Sequence, residues 1–126
     1  MFVNDHGTIT FGAGSVSGQN QVLPSTRLQS YAALPFWAES SIAAGSKRGI
    51  FYSQTGAKPN RQVTVEWLTS PSDGSESKAY HFTARFSEAT PGVVTYRYYT
   101  SLDAIGTIGV QGGSCKNLEK PIYCPC

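Results

Sequence analysis

The chain has 126 residues, 40% of them hydrophobic, which is enough for one compact domain and too few for two domains with separate cores. Its 26 serines and threonines and 13 glycines are typical of an extracellular β protein and argue against a helical bundle. The net charge of +2 comes from scattered basic residues, and no apolar run approaches the roughly 18 residues of a membrane span, so we expect neither nucleic-acid binding nor membrane insertion.

The first predicted elements are two short strands, at residues 2–3 and 8–11, bounded by Asn, Asp and Gly. Two strand-like apolar residues follow Met1 at once, so we expect that the chain begins at a boundary inside a longer protein. Residues 12–24 are rich in Gly, Ser and Gln and predict an exposed loop.

The segment 25–44 shows no alternation of apolar and polar residues. Pro35 interrupts the apolar run at residues 34–37, and residues 40–44 predict a short helical turn. The next predicted strand covers residues 49–53, and it is followed by an exposed loop at residues 55–60.

Three segments, at residues 63–67, 80–86 and 94–98, alternate between apolar and polar side chains as half-buried antiparallel strands do. Trp67 lies on the apolar face of the first of them and Glu66 on the polar face. A Pro-Gly turn between the second and third predicts a hairpin, and the Ser-rich stretch at 70–77 predicts a loop. The aromatic residues expected in the core are Trp67, Tyr80, Phe82, Phe86, Tyr96 and Tyr98.

The last predicted strand is at residues 107–111, and the remainder has little periodicity. All three cysteines, Cys115, Cys124 and Cys126, lie in this tail, so one disulfide with one thiol left over is expected, in an oxidising compartment. Four zinc ligands at compatible spacing are lacking, because the two histidines are far away in the sequence. We predict an antiparallel β-sandwich, jelly-roll-like, over residues 1–111 and a cysteine-containing tail over residues 112–126.

Several segments resemble the nidogen-like (NIDO-type) extracellular β-sandwich domain of microbial and fungal surface proteins. Residues 2–12 are similar to its opening pair of strands around an Asn-Gly turn, and residues 33–39 are similar to its Pro-Phe-Trp motif. The remaining segments follow in the expected order, so that the resemblance covers about residues 2–111: they are 49–56, 59–67, 82–86, 96–98 and 107–111.

This resemblance implies a secreted or surface-displayed, non-catalytic module of an adhesion or matrix protein. It does not name a ligand. The family usually has a strand before its Asn-Gly turn, whereas almost nothing precedes Phe2 here. The resemblance therefore implies that this strand is missing, comes from elsewhere in the parent chain, or is supplied by a partner through strand addition. Where the family often has two acidic residues after its tryptophan, this chain has Ala38 and Glu39, so an acidic ligand set at that position would lack one member.

Catalysis by paired carboxylates would have to draw on Asp5, Glu39, Glu66, Glu88 and Asp103. For Glu66, a cross-strand charge pair with Arg85 or Arg97 is the favoured interpretation. No serine or cysteine has the Gly-x-Ser-x-Gly context of a nucleophile elbow, and no phosphate-binding loop is present. We therefore expect a protein that is not an enzyme and needs no metal or cofactor.

If a ligand binds, the polar faces of the predicted strands are where we expect it. The candidate ligand-binding residues are Glu66, His81, Arg85, Arg97 and Tyr99, which would share one outward face if their strands are neighbours. The leading prediction is a structural or adhesion module. The alternatives are a lectin-like carbohydrate-binding domain and a fibre subunit that associates with its own copies through strand edges, so the expected partner is an extracellular protein, a glycan or a second copy.

Overall fold

The computed structural model describes residues 1–12, 18–28, 31–73, 75 and 77–112. The described residues contain no helix and form strands in two antiparallel sheets, which confirms the predicted all-β class and agrees with a sandwich. None of these residues forms a helix that could cross a membrane. In chain order the strands are β1 (Phe2–Asn4), β2 (Thr8–Phe11), β3 (Tyr31–Trp37), β4 (Ser40–Ser41), β5 (Gly49–Thr55), β6 (Gln62–Pro71), β7 (Tyr80–Ser87), β8 (Val94–Tyr98) and β9 (Thr107–Gln111).

The chain divides into two compact units, and each contains one sheet. The unit formed by Met1–Glu39 and Ile105–Cys126 contains a four-stranded sheet in the order β1-β2-β3-β9. The unit formed by Ser40–Ala104 contains a five-stranded sheet in the order β4-β6-β7-β8, with β5 paired to the same side of β6 as β4. The cysteines predicted to form a disulfide lie outside the described residues.

The turn between β1 and β2 is held by one asparagine side chain. The Asn4 carboxamide oxygen accepts hydrogen bonds from the backbone N–H groups of His6 and Thr8, at 3.1 and 3.2 Å, and from the Thr8 hydroxyl at 2.9 Å. Asn side chains favour turns through bonds of this kind to nearby backbone, and Gly7 has the positive φ of 70° that completes the reversal. The predicted pair of strands is therefore confirmed.

Strand β3 was not predicted, because its sequence lacks alternation. Every residue from Ala32 to Trp37 is buried, so both faces of the strand are apolar and a period of two disappears. Pro35 lies where the pairing between β3 and β9 shifts register, between Leu34 and Trp37. Such irregularities tolerate a residue that cannot donate a ladder hydrogen bond.

The helical turn expected at residues 40–44 was wrong. Ser40 and Ser41 form β4, which pairs antiparallel with the end of β6 at Pro71 and Ser70. The loop predicted from residue 70 accordingly begins later, because Ser70 and Pro71 are buried in the sheet. Serine and proline are poor strand formers, and the pairing with a neighbouring strand outweighs that preference here.

The five-stranded sheet has two chemically different faces. The Trp67 face carries the apolar residues of β6 and β7, including Val65, Trp67, Phe82 and Ala84, all of them buried, and the Trp67 and Phe82 rings stack with centroids 5.2 Å apart. The opposite Glu66 face is defined by the side chains that alternate with them: Phe51, Ser53, Thr64, Glu66, Leu68, His81, Thr83, Arg85, Thr95 and Arg97.

The core prediction was right for three of the six aromatic residues and wrong for the other three. Tyr80 is buried like Trp67 and Phe82, but Phe86 and Tyr96 are only partly buried and Tyr98 is 37% exposed. Periodicity assigned these rings to the correct face. It carries no information about how far the core extends along a strand, or across the sheet to the edge strand β8, where Tyr98 lies opposite the buried Phe82.

Substitution of Gly56, which directly follows β5, is expected to destabilise the protein. Its φ is +79°, and a Cβ there would lie 2.5 Å from the Asn60 carbonyl oxygen. Gly92 is a matched control, since its φ of +81° is similar but a Cβ would meet no atom within 4 Å. We expect Gly92→Ala to lower the free energy of unfolding by about 1 kcal/mol and Gly56→Ala by about 2–3 kcal/mol, measured by urea denaturation. Equal losses would contradict the steric part of this account.

Candidate functional site

The five predicted ligand-binding residues all come from the Glu66 face or its immediate continuation. Glu66 lies on β6, His81 and Arg85 on β7, and Arg97 on β8, while Tyr99 follows the end of β8 with the same parity as Arg97. All five side chains are exposed or partly exposed. The structure therefore brings them onto one surface of the five-stranded sheet.

Glu66 and His81 form the closest polar contact of this surface. Nε2 of His81 lies 2.6 Å from Oε1 of Glu66, and the two side chains remain 30% and 43% exposed, respectively. The expected pair between Glu66 and Arg85 or Arg97 is not formed. On β7, His81 and Arg85 are both diagonal to Glu66, and the carboxylate turns toward His81; Arg97 is two strands away, about 10 Å at the usual strand spacing.

His81 is fixed by three further contacts with the segment that follows β8. Its ring stacks on the Tyr99 ring, with centroids 4.4 Å apart and an interplanar angle of 26°. Its backbone N–H donates to the Thr100 hydroxyl at 3.0 Å, and its carbonyl accepts from the Tyr99 N–H at 2.9 Å. The carboxylate, the imidazole and the phenol ring thus form an ordered group on the surface.

Arg85 and Arg97 flank this group on the Glu66 face. Both are exposed, and neither forms an ion pair with a described residue. Arg97 is directly opposite Thr83, which is itself opposite Glu66, and Arg85 lies between Thr64 and Thr95. The guanidinium groups therefore have small neutral neighbours in the sheet and remain available to an anionic ligand.

The Trp67 face opens into a cleft of about 340 Å³ where its core ends. Its floor is the directly opposed pair Val63 and Phe86, and an ion pair between Arg61 and Glu88 closes one end. The Arg61 backbone N–H also donates to the Glu88 carboxylate, at 3.0 Å, and the Glu88 N–H donates to the Arg61 carbonyl, at 2.9 Å. These contacts fasten the start of β6 to the end of β7.

Hydrogen bonds lower the pKa values of three carboxyl groups of the five-stranded unit, and in two of them the donor is an ion-pair partner. The hydrogen bond from the Arg61 side chain lowers the pKa of Glu88, and the same bond raises the pKa of Arg61. The hydrogen bond from Lys78, at 2.6 Å, likewise lowers the pKa of Asp103. In Asp73 the backbone N–H of Ser75 is the main cause of a lowered carboxyl pKa.

Among the described residues, no group of three His, Cys, Asp or Glu side chains could hold a metal ion. The carboxylates considered for hydrolysis are also dispersed: Asp5 is near His6, Glu88 pairs with Arg61 and Asp103 pairs with Lys78. Of these carboxylates, Glu66 is the one that contacts another candidate site residue.

Sequence reasoning missed Phe51 as a member of the Glu66 face. Phe51 lies directly opposite Glu66 on β5 and is 49% exposed. The sequence shows which residues of 49–53 share a strand face with Phe51, but it does not show that β5 pairs with β6. Glu88 was among the candidate carboxylates, but its pairing with Arg61 at the cleft was missed for the same reason, because the two residues lie 27 residues apart and meet only in this register.

A family model described as NIDO related matches residues 1–121. The chain belongs to the NIDO-related family. The nidogen-like resemblance of the sequence is thereby confirmed, and membership suggests an extracellular module. Comparison with curated proteins and with solved structures finds no match to this NIDO-related chain.

The Arg61–Glu88 pair is expected to make folding stability depend on pH. Because the folded-state pKa of Glu88 is lowered from its ordinary 4.5, its contribution is present above that value and is lost as the pH falls through the lowered pKa. The stability difference between the natural protein and Glu88→Gln should be constant from pH 7 to about 5.5 and shrink toward pH 3, as measured by urea denaturation.

The control for this prediction is the same comparison in an Arg61→Gln background. Removing the Arg61 side chain removes the hydrogen bond that is the main cause of the lowered Glu88 pKa, while the backbone N–H of residue 61 still donates to the carboxylate. The pH-dependent part of the difference should therefore become smaller. A difference that grows toward low pH in the natural background would contradict the assignment.

Proposed function

We propose that this NIDO-related chain is a non-catalytic, secreted or cell-surface adhesion module that recognises acidic glycans with its Glu66 face. The observation that carries the proposal is the ordered group of Glu66, His81 and Tyr99 beside two exposed arginines on one sheet surface. This proposal joins the adhesion module and the lectin-like domain, because the module would attach to its matrix by binding glycans.

Ring stacking supports a sugar ligand. Tyr99 is 51% exposed and is held by its contact with the His81 ring. A pre-positioned aromatic ring can cover the apolar face of a sugar at low cost in conformational entropy, while neighbouring polar groups bond to hydroxyls. Glu66 lies at the side of this ring pair and can accept such bonds.

The two arginines support an acidic ligand. Arg97 and Arg85 have no ion-pair partner among the described residues, and guanidinium groups bind carboxylates and sulfates in a bidentate manner. A uronic acid or sulfated sugar would supply these anions. A neutral sugar would give neither guanidinium group an anionic partner.

The solvent exposure of Glu66 and His81 supports the non-catalytic part of the proposal. Glu66 and His81 resemble an acid–base pair in distance, but they lie on a surface where both side chains remain accessible to water. General acid–base catalysis benefits from a concave site that excludes water and holds the substrate in place.

A fibre assembled from identical copies has less support than glycan recognition. Its natural pairing edge would be β5, and that strand has cations near both ends: Lys47 and Arg48 before it and Lys58 after it. Two copies joined at this edge would place like charges together in either strand direction.

The test of the proposed function is a glycan array followed by affinity measurement by calorimetry. The folded domain should bind a class of acidic glycans, and Arg97→Gln should weaken that binding about tenfold through loss of a charge-assisted contact. Tyr99→Ala should weaken it by a similar factor, and added salt should reduce affinity for the natural protein more than for Arg97→Gln.

Arg27→Gln is the control, because it makes the same change of charge on the four-stranded unit. It should leave glycan affinity unchanged. A blank array with well-folded protein, or binding to neutral glycans that Arg97→Gln does not affect, would overturn the proposal.

A further inference from the structure

Strand β5 is an open edge of the five-stranded sheet. All seven of its residues pair antiparallel with β6, from Gly49 opposite Leu68 to Thr55 opposite Gln62. Its other side pairs with no strand in the described part of the chain. Such an edge presents alternate backbone N–H and C=O groups that can extend the sheet.

The composition of β5 suits strand addition. It contains no charged residue and no proline, and its β-branched and aromatic residues favour extended backbone. Tyr52 is 81% exposed on the Trp67 face, and Phe51 is exposed on the opposite face. The Phe51 ring lies over Gly49, where a Cβ would come within 3.1 Å of it. An added strand would therefore meet an aromatic side chain on each face.

The other strands at sheet edges are less suitable. β1 has three residues, and β8 has five and includes the charged Arg97. β9 is bound by the segment before β3: the Thr107 hydroxyl donates to the Gln21 carbonyl at 2.7 Å, and the Ser25 N–H donates to the Gln111 side chain, also at 2.7 Å. β5 thus offers the longest uncharged edge.

The charges at the two ends of β5 favour an occupant with acidic ends. Lys47 and Arg48 precede the strand and Lys58 follows it, whereas no Asp or Glu occurs between residues 40 and 65. Lys47 and Lys58 are exposed and form no ion pair with a described residue. An incoming strand with acidic residues at both ends would place anions beside these cations, while a second copy would place cations there.

We propose that the β5 edge binds an extended segment of a partner protein, in which an uncharged, strand-forming stretch of about seven residues is flanked at both ends by Asp or Glu. Backbone hydrogen bonds supply the attraction along the edge. Contacts with Tyr52 and Phe51 align the side chains, and the flanking charges select the partner. The glycan surface is not required for this interaction.

The test uses two synthetic peptides with the same core of seven alternating Thr and Val residues. One carries two Glu at each end and the other two Lys. In fluorescence anisotropy titrations of the labelled peptides with the full chain, the Glu-flanked peptide should bind at least about tenfold more tightly than the Lys-flanked peptide, because several exposed charge pairs act together. The Glu-flanked peptide is then added to the isotope-labelled full chain. NMR shift changes should centre on residues 49–55. Raising the salt from about 0.05 to about 0.5 M should reduce the difference.

Charge reversal provides the matched variants. Lys47→Glu with Lys58→Glu should abolish the preference for the Glu-flanked peptide, because Arg48 then faces Glu at position 47 and the start of β5 carries no net charge. Lys47→Arg with Lys58→Arg should preserve the original preference. All four substitutions are at exposed positions outside the strand, so folding should be retained.

Three outcomes would overturn the proposal. These are failure of both peptides to bind, equal binding of the two, and binding with shift changes away from β5. A dimer of the natural protein that buries β5, detected by sedimentation and strengthened by salt, would show that a second copy is the occupant and would also overturn it.

Discussion

The position of β6 at the centre of its sheet is the constraint on which the five-stranded unit depends. It pairs with β7 along one side and with β4 and β5 along the other. Because side chains alternate along a strand, this register buries Trp67 completely and leaves the adjacent Glu66 accessible. A shift of one residue would exchange the two, exposing the indole and burying the carboxylate.

The same register organises every surface feature of this unit. It sets His81 diagonal to Glu66, so that the carboxylate and imidazole meet, and it aligns Arg97 with Glu66 across the intervening Thr83. On the opposite face it joins Val63 to Phe86 where the core gives way to the open cleft. Core packing and site geometry therefore have one physical origin, and a mutation that disturbs the Trp67–Phe82 stack should disturb the Glu66 face as well.

The sequence predicted strands and their faces correctly wherever one face of the strand is buried and the other is exposed to solvent. β7, β8 and β9 were predicted to within a residue, and the five candidate residues were assigned to one face on parity alone. The alternation of apolar and polar residues did not predict β3, which is buried on both faces, or β4, which has only two residues, both serine. Burial and pairing are tertiary properties, and local preference is outweighed by them.

The contacts within the site were harder to predict than its location. Two diagonal neighbours on β7 compete for Glu66, and nothing in the sequence decides between the imidazole of His81 and the guanidinium of Arg85. Likewise, the open edge of β5 follows from which strands pair, and strand order is not encoded in the alternation of any one segment.

Amide hydrogen exchange, resolved residue by residue with NMR, tests the central claim about β6 most directly. The account predicts slow exchange for the amides of β6, which bond to strands on both sides. In β5 it predicts alternation, with every second amide from residue 49 to 55 exchanging fast because it points away from β6. Uniform protection along β5, or fast exchange at consecutive residues in the middle of β6, would contradict it.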